Sequence, residues 1–247
     1  MDVLFVVGQG SKHENQELRW ALRSFEKHAS NVGRVIVAGY PPEWLAGGVE
    51  RFPVEQPWKR GAKNVLHTID RVMREAPAGW ECLLAQDDVF FTRDVDLDRY
   101  PVYIKGEDLP TSVPEHDKEH SGWWTLLIET REFLRKHGLP SVNFAQHCDI
   151  HIGRDETIEA AAVYREIFNR NRGVDSWGFL GNLWYARHPE AALVPRKDVK
   201  VRMTTTQELT DLEATHDAIS IGDQAFDSRN FMRYMADRFG AKSRWEV

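Results

Sequence analysis

Short apolar runs alternate with helix-periodic segments through the first part of this chain, and that alternation sharply limits the folds open to it. Val3–Leu4–Phe5–Val6–Val7 is apolar throughout, as a strand covered on both faces must be, and it ends at Gly8–Gln9–Gly10. Leu18, Ala21, Leu22 and Phe25 then recur at the spacing of one helix face, which predicts a helix over Glu14–Lys27. Val35–Ala38 reads as a second strand, closed by Gly39–Tyr40–Pro41–Pro42, and Val49–Val54 as a short third. Val65, Leu66, Ile69, Val72 and Met73 mark another helix, stopped by Pro77 and Gly79, before a strand over Glu81–Gln86. Strand, helix, strand, helix, strand predicts an α/β protein with a mainly parallel, doubly wound sheet.

Past residue 95 the pattern loosens. Tyr100–Pro114 carries several prolines, and Glu115–His120 is a polar loop suited to act as a lid. Helices are predicted from about Glu129 to His137, from Asp155 to about Phe168, and from Ser228 to Phe239. With no repeat, low-complexity tract or linker, the expectation is a single domain over 1–247. Its first half, 1–95, would bind a nucleotide, and its second, 96–247, would face an acceptor.

The last of those strands delivers the chemistry. Asp87 and Asp88 follow the apolar run Cys82–Leu83–Leu84–Ala85–Gln86 and precede Val89–Phe90–Phe91. Two carboxylates brought this close at a buried edge repel each other unless one is protonated or a cation neutralises them. The carboxyl edge of a parallel sheet is also where α/β proteins bind ligands. The pair therefore reads as a Mg2+ or Mn2+ site holding a diphosphate, since such ions take oxygen ligands with only one or two from protein carboxylates. Asp88 is the expected direct ligand; Asp87 would act through water or on a ribose.

Composition narrows the partners. The net charge of −6 gives no general attraction to nucleic acid or to an anionic membrane, and no apolar stretch approaches a membrane span. The two cysteines, Cys82 and Cys148, are expected as reduced thiols, and the opening run lacks a basic leader, so the expected location is the cytoplasm. Nine tryptophans exceed what a core of this size needs, and flat aromatic faces suit sugars and bases. Gly8, Gly10 and Ser11 end the first strand, where backbone can approach a nucleotide closely. Lys59, Arg60 and Lys63 stand at the start of a helix, a place unfavourable to cations unless an anion is near. Arg19 and Arg23 share one helix face and join the candidate nucleotide contacts.

Three segments carry a family resemblance. Asn15–Lys27 resembles the "ELRYSLRS" helix of Stealth-type hexose-1-phosphate transferases and the equivalent helix of short phage and bacterial sugar transferases. The spacing onward through Glu43–Trp44–Leu45 to Gln86–Asp87–Asp88 is similar to theirs, and Ile219–Phe226 with Lys242–Glu246 resembles the end of the phage-type enzymes. The resemblance implies a GT-A fold, a nucleotide-sugar donor (UDP-glucose or a related UDP-sugar foremost) and a divalent cation. It also implies a histidine ligand, for which His151 matches best and His147 is the alternative, and it marks Lys63–Asn64 as a donor contact. Gln86 stands where many members have Asp or Asn, the Stealth "WVDGSD" segment is only Val7–Gly8–Gln9–Gly10–Ser11 here, and "NSHAIE" is absent, which favours ordinary glycosyl transfer over phosphosugar transfer. An inverting enzyme needs a base, for which Asp149, Asp175 and Asp223 are the candidates, Asp175 foremost because Ser176–Asn182 resembles a phage-type motif.

The phage-type enzymes include some that glycosylate hydroxymethylated bases in DNA, so 5-hydroxymethylcytosine DNA is the leading expected acceptor, with a capsular or surface glycan as the alternative. If phage-encoded, the chain would act in the host cytoplasm. Arg165, Arg170, Arg172, Arg187, Arg196, Lys197, Lys200 and Arg202, with Trp177 and Trp184, are the residues expected to form a DNA-tracking groove.

Overall fold

The computed structural model of the chain describes residues 1–9, 11–59, 61–145, 147–196, 200–201 and 206–247, the side chains of Thr206 and Asp223 apart. In chain order come β1 (Asp2–Val7), α1 (Gln16–His28), β2 (Ala29–Ser30), β3 (Val35–Gly39) and β4 (Glu50–Pro53). Next are α2 (Gly61–Glu75), β5 (Glu81–Ala85), β6 (Val89–Phe91), β7 (Val95–Asp96), β8 (Val102–Ile104) and α3 (Ser121–Lys136). β9 (Ile150–Gly153), α4 (Arg154–Glu159), α5 (Ala161–Asn169) and α6 (Ser176–Tyr185) follow. The chain closes with β10 (Leu193–Pro195), β11 (Lys200–Val201), α7 (Thr206–Thr215), β12 (Ala218–Ile221) and α8 (Arg229–Phe239).

The main sheet runs β4–β3–β1–β5–β9. Its first four strands are parallel, and β9 lies antiparallel to β5. Because successive side chains in a strand point to opposite faces, the sheet feeds two cores. Val3, Phe5, Val7, Val35, Val37, Leu83 and Ala85 pack on the α1 and α8 side. Leu4, Ile36, Ala38, Cys82 and Leu84 pack on the side of α2, α5 and α6. Each buried Val, Leu or Phe in these layers contributes about 1.5–3 kcal/mol, which is why the strands read as unbroken apolar runs.

α1 buries Leu18, Ala21, Leu22 and Phe25, the face predicted from spacing, but begins two residues later than expected. Glu14 and Asn15 both have left-handed backbone (φ 55° and 56°), so the helix cannot start before them. The helix expected over 155–168 is two helices, because Ala160 leaves helical geometry at φ −78°, ψ 10°. α3 extends the expected 129–137 helix by two turns toward its N-terminus. α8 starts at Arg229 with Ser228 as its cap, the Ser228 hydroxyl accepting from Phe231 N–H at 3.3 Å.

Two features set up the ligand edge. β3 and β5 flank β1 on opposite sides, so the connections leaving β1 and β5 diverge and open a crevice at the carboxyl edge. A second sheet, β11–β12–β6, then roofs that edge, with β12 antiparallel to β6 and parallel to β11. Gly39 permits the close approach of β3 to β1 there: its φ is +97°, and a Cβ would fall on the carbonyl oxygen of Val7.

Candidate functional site

An open cleft of about 320 Å³ lies at this edge. β1 and the segment after it supply Val7, Gly8, Gln9, Ser11 and Asn15; α1 supplies Glu17. The turn after β5 supplies Asp87 and Asp88, and the roof supplies Lys200, Ile221, Gly222 and Phe226. The acidic turn is held firmly. Val89 N–H donates to Gln86 O at 3.4 Å, Ile221 N–H donates to Asp88 O at 3.0 Å, and Gln86 Nε2 donates to Cys148 O at 2.9 Å. The backbone of the turn is thus tied to β6, to β12 and to the segment before β9, which keeps both carboxylates at the cleft.

Their electrostatics follow from that confinement. Burial, then the adjacent Asp88 and then Glu17, push the Asp87 carboxyl up to about 7. Burial also raises Asp88, but His147 and Lys200 pull it back toward the charged form. His147 Nδ1 and Lys200 Nζ each lie 3.8 Å from Asp88 Oδ2, and Lys200 Nζ is 3.4 Å from His147 Nε2.

The opposite wall is knotted around Ser11. Its hydroxyl donates to Glu17 at 3.1 Å while accepting from His13 N–H (3.2 Å) and Asn15 N–H (3.0 Å). That knot holds the left-handed Glu14–Asn15 pair, a strained backbone of the kind found at ligand clamps. Phe226 forms an aromatic floor, stacked on His13 at 3.8 Å and on Trp20 at 5.4 Å. Among the described residues a Cβ at Gly8 would meet only Gln56 Oε1, at 3.8 Å.

The structure brings Asp87, Asp88 and Gly8 together and places other expected residues elsewhere. His151 sits in β9 opposite Leu83, its Nε2 3.1 Å from Tyr100 O and its ring stacked on Trp184. β9 runs antiparallel to β5, so residues before 150 reach the acidic edge and residues after it run away; hence His147, not His151, neighbours Asp88. Arg19 and Arg23 grip Glu246 at 3.0 and 2.7 Å, Arg19 also lying 3.9 Å over Trp44. Buried Lys63 donates to the carbonyls of Phe168 and Arg170, closing the end of α5. Asn64 exchanges hydrogen bonds with the Trp58 backbone at 2.7 and 3.1 Å, and Lys59 is exposed on the loop before α2.

Of the candidate bases, Asp149 is buried and accepts from Gln86 N–H at 3.0 Å; burial pushes it up to about 7. Asp175 caps α6, accepting from Gly178 N–H at 2.6 Å, and burial raises it to about 6 against that hydrogen bond. Gly10, Arg60, Lys197, Arg202 and the side chain of Asp223 lie outside the described residues. The expected basic groove is divided among partners: Arg172 pairs with Glu129, Arg187 with Glu159 and Arg196 with Asp217. Trp184 is buried between His151 and His188, and Trp177 Nε1–H donates to Cys148 O.

Glu17, Phe226 and the cleft position of Lys200 were not singled out from sequence. Glu17 and Phe226 do fall inside two of the segments that carry the family resemblance, whereas Lys200 arrives only through the pairing of β11 with β12. Among the described residues no group of three His, Cys, Asp or Glu side chains forms a self-sufficient metal cage. Two half-buried carboxylates on one wall, with a third near enough to raise both, do suit a hard cation that takes its other ligands from phosphate and water.

No family model matches the sequence, and no curated protein matches it. Among solved structures, galactosyltransferase LgtC in complex with donor and acceptor sugar analogs is similar, with a TM-score of 0.51 at 12% identity. The likeness covers 98% of this chain and 96% of that chain. It establishes the fold: a mixed α/β architecture of GT-A type, with a mainly parallel central sheet flanked by helices.

Proposed function

We propose that this chain is a metal-dependent glycosyltransferase that moves a sugar from a nucleotide-sugar, a UDP-sugar foremost, onto an acceptor hydroxyl. The observation that carries the reading is the Asp87–Asp88 pair at the strand-order switch, facing the cleft where a GT-A fold offers a ligand crevice. Among the described lining residues, three carboxylates (Glu17, Asp87, Asp88) face one lysine, Lys200. A diphosphate entering that field alone is repelled, and a divalent cation reverses the sign. That LgtC was solved with donor and acceptor sugar analogs supports the same reading.

The roles divide as follows. Asp87 and Asp88 hold Mn2+ or Mg2+, which when bound supplies positive charge to the departing diphosphate. Gly8 lets the donor approach β1 without a side chain intervening, and Phe226, held by its stacking on His13 and Trp20, gives the cleft an apolar floor. Residues 1–95 hold most of the donor wall, and the later half closes it with Lys200, Gly222 and Phe226. Asp149 and Asp175 are committed to backbone N–H groups. Asp223, the remaining candidate base, follows the lining residue Gly222 in sequence. The closer affinity to short phage and bacterial enzymes, and a hydroxymethylcytosine DNA acceptor, rest on the three sequence segments named above.

The test is incubation with a panel of UDP- and GDP-sugars and Mn2+, with sugar acceptors or hydroxymethylcytosine DNA, followed by mass spectrometry. Mn2+-dependent release of UDP or GDP, abolished by Asp88→Asn, is the expected result. Release of UMP instead identifies sugar-phosphate transfer, and sugar on the DNA nucleosides identifies the acceptor. No donor turnover with any sugar, metal or acceptor overturns the assignment.

A further inference from the structure

The acidic wall of the cleft already carries a cation of its own. Lys200 Nζ stands 3.8 Å from Asp88 Oδ2, beside His147 Nδ1 at the same distance; the lysine and acid side chains are 32% and 26% exposed, so the contact is sheltered yet open to exchange. It is the only lysine or arginine lining the cleft among the described residues. Backbone pairing sets its position. Lys200 is in register with Ser220 of β12, and the next residue of β12, Ile221, donates its N–H to Asp88 O. Acid and lysine therefore hang from one hydrogen-bonded lattice, and the ammonium reaches the carboxylate that a metal would need.

We infer that Lys200 is an internal competitor for the metal position: it neutralises Asp88 while the cleft is empty and passes to the diphosphate when metal and nucleotide enter together. This rests on the reading of the cleft as a cation–diphosphate site. Metal entering alone must take Asp88 from Lys200 and leave an ammonium beside a second, stronger cation; at such separations like charges repel even with partial solvent screening. A diphosphate removes that penalty, because its oxygens accept the displaced ammonium. Nucleotide entering alone meets Asp87, Asp88 and Glu17 with Lys200 already engaged. Each ligand thus prepares the site for the other, and the coupling is reciprocal by thermodynamic necessity. The consequence for function is a site that ignores free metal and free nucleotide and fills with the pair.

Calorimetric titration of the metal-stripped full chain tests this with Mn2+ alone, UDP alone, and Mn2+ in the presence of saturating UDP. In the wild-type chain UDP is expected to tighten Mn2+ binding by about 10–100-fold, within the usual span of coupling between sites. Lys200→Met is expected to bind Mn2+ alone about 5–10-fold more tightly than wild type, and Mn2+–UDP more weakly, so that the coupling largely disappears. Lys200→Arg, which keeps the charge, retains most of it and serves as the control for folding. Equal Mn2+ affinity in wild type and Lys200→Met, with UDP still coupled to Mn2+, overturns the competitor role while leaving the cation–diphosphate reading intact. Failure of wild type to bind Mn2+ even with saturating UDP present, or Mn2+–UDP binding unaffected by Asp88→Asn, overturns both.

Discussion

Glu246 and Asp87 are both acids withdrawn from water, and they finish on opposite sides of the ordinary carboxylate range. Glu246 closes the C-terminal end of the chain against α1. Burial works against its charge, yet the Arg23 fork, the Ser243 N–H and Arg19 overcome it and hold the carboxyl at about 2. Asp87 receives no such set: burial and the neighbouring acids drive it up to about 7. One acid has its arginines inside the fold; the other keeps an uncompensated charge, which on the proposed function a bound cation would neutralise. The Glu246 side chain is fully buried and Asp87 half-buried at the cleft, so the more buried acid is the one that stays charged, and partners decide the difference.

The largest effect should come from breaking the satisfied side. Glu246→Ala leaves two arginines facing a buried gap at α1, and loss of one partner of a buried pair costs about 3–5 kcal/mol. Urea unfolding is expected to show that loss. The acid limb gives the same answer by titration. Because the folded-state value lies below the unfolded one, this carboxylate's contribution is full above about 4.5 and fades as pH falls toward about 2. In Glu246→Gln that portion of the acid limb should flatten, and an unchanged limb would show that Glu246 is not the carboxylate responsible.

Breaking the unsatisfied side should do the reverse. Asp88→Asn is expected to lower Mn2+-dependent nucleotide affinity by about 100-fold, roughly 2.7 kcal/mol. Asp87→Asn removes from the Asp87–Asp88 repulsion the charge that has no cation partner among the described residues, and should leave the metal-free melting temperature unchanged or higher. An Asp87→Asn variant that melts well below wild type would place Asp87 among the structural acids with Glu246 and would contradict the contrast.

What sequence could show follows the same division between local and assembled features. β1, α1, β3, α2 and β5 are legible because each carries its own period and its own stop signal. α6 is not among the helices expected from sequence, because Trp177–Gly178–Phe179–Leu180–Gly181 is apolar throughout and shows no amphipathic stripe. That helix is buried on all sides, and Gly181 is there because a Cβ would collide with the Phe144 ring. The acidic pair is legible too, being adjacent in sequence. Lys200, Glu17 and Phe226 reach it from positions far apart along the chain, through β12 pairing with β6 and through the Ser11 knot. No local pattern announces such closure. The histidine nearest Asp88 was misjudged for a related reason: choosing between His147 and His151 needs the direction of β9, which spacing alone does not give.

The smallest effect discriminates most finely between the two kinds of acid. Asp175 is expected from sequence as a base, yet its carboxylate is the cap of α6, bonded to Gly178 N–H. Asp175→Ala should cost about 1 kcal/mol, the usual worth of a cap, whereas Asp175→Asn keeps an acceptor oxygen and should restore most of it. The pH dependence adds a sign. The folded-state value is raised to about 6, so protonated Asp175 stabilises the fold at low pH, and that contribution is lost as pH rises through about 6. Asp175→Asn should therefore match or exceed wild-type stability above about pH 7 while falling behind below about pH 4. A capping role also predicts that Asp175→Asn retains sugar transfer within about threefold, since a cap touches no reacting atom. Loss of about 100-fold or more in an Asn variant of wild-type stability would instead make Asp175 the base, because general-base catalysis is worth that much.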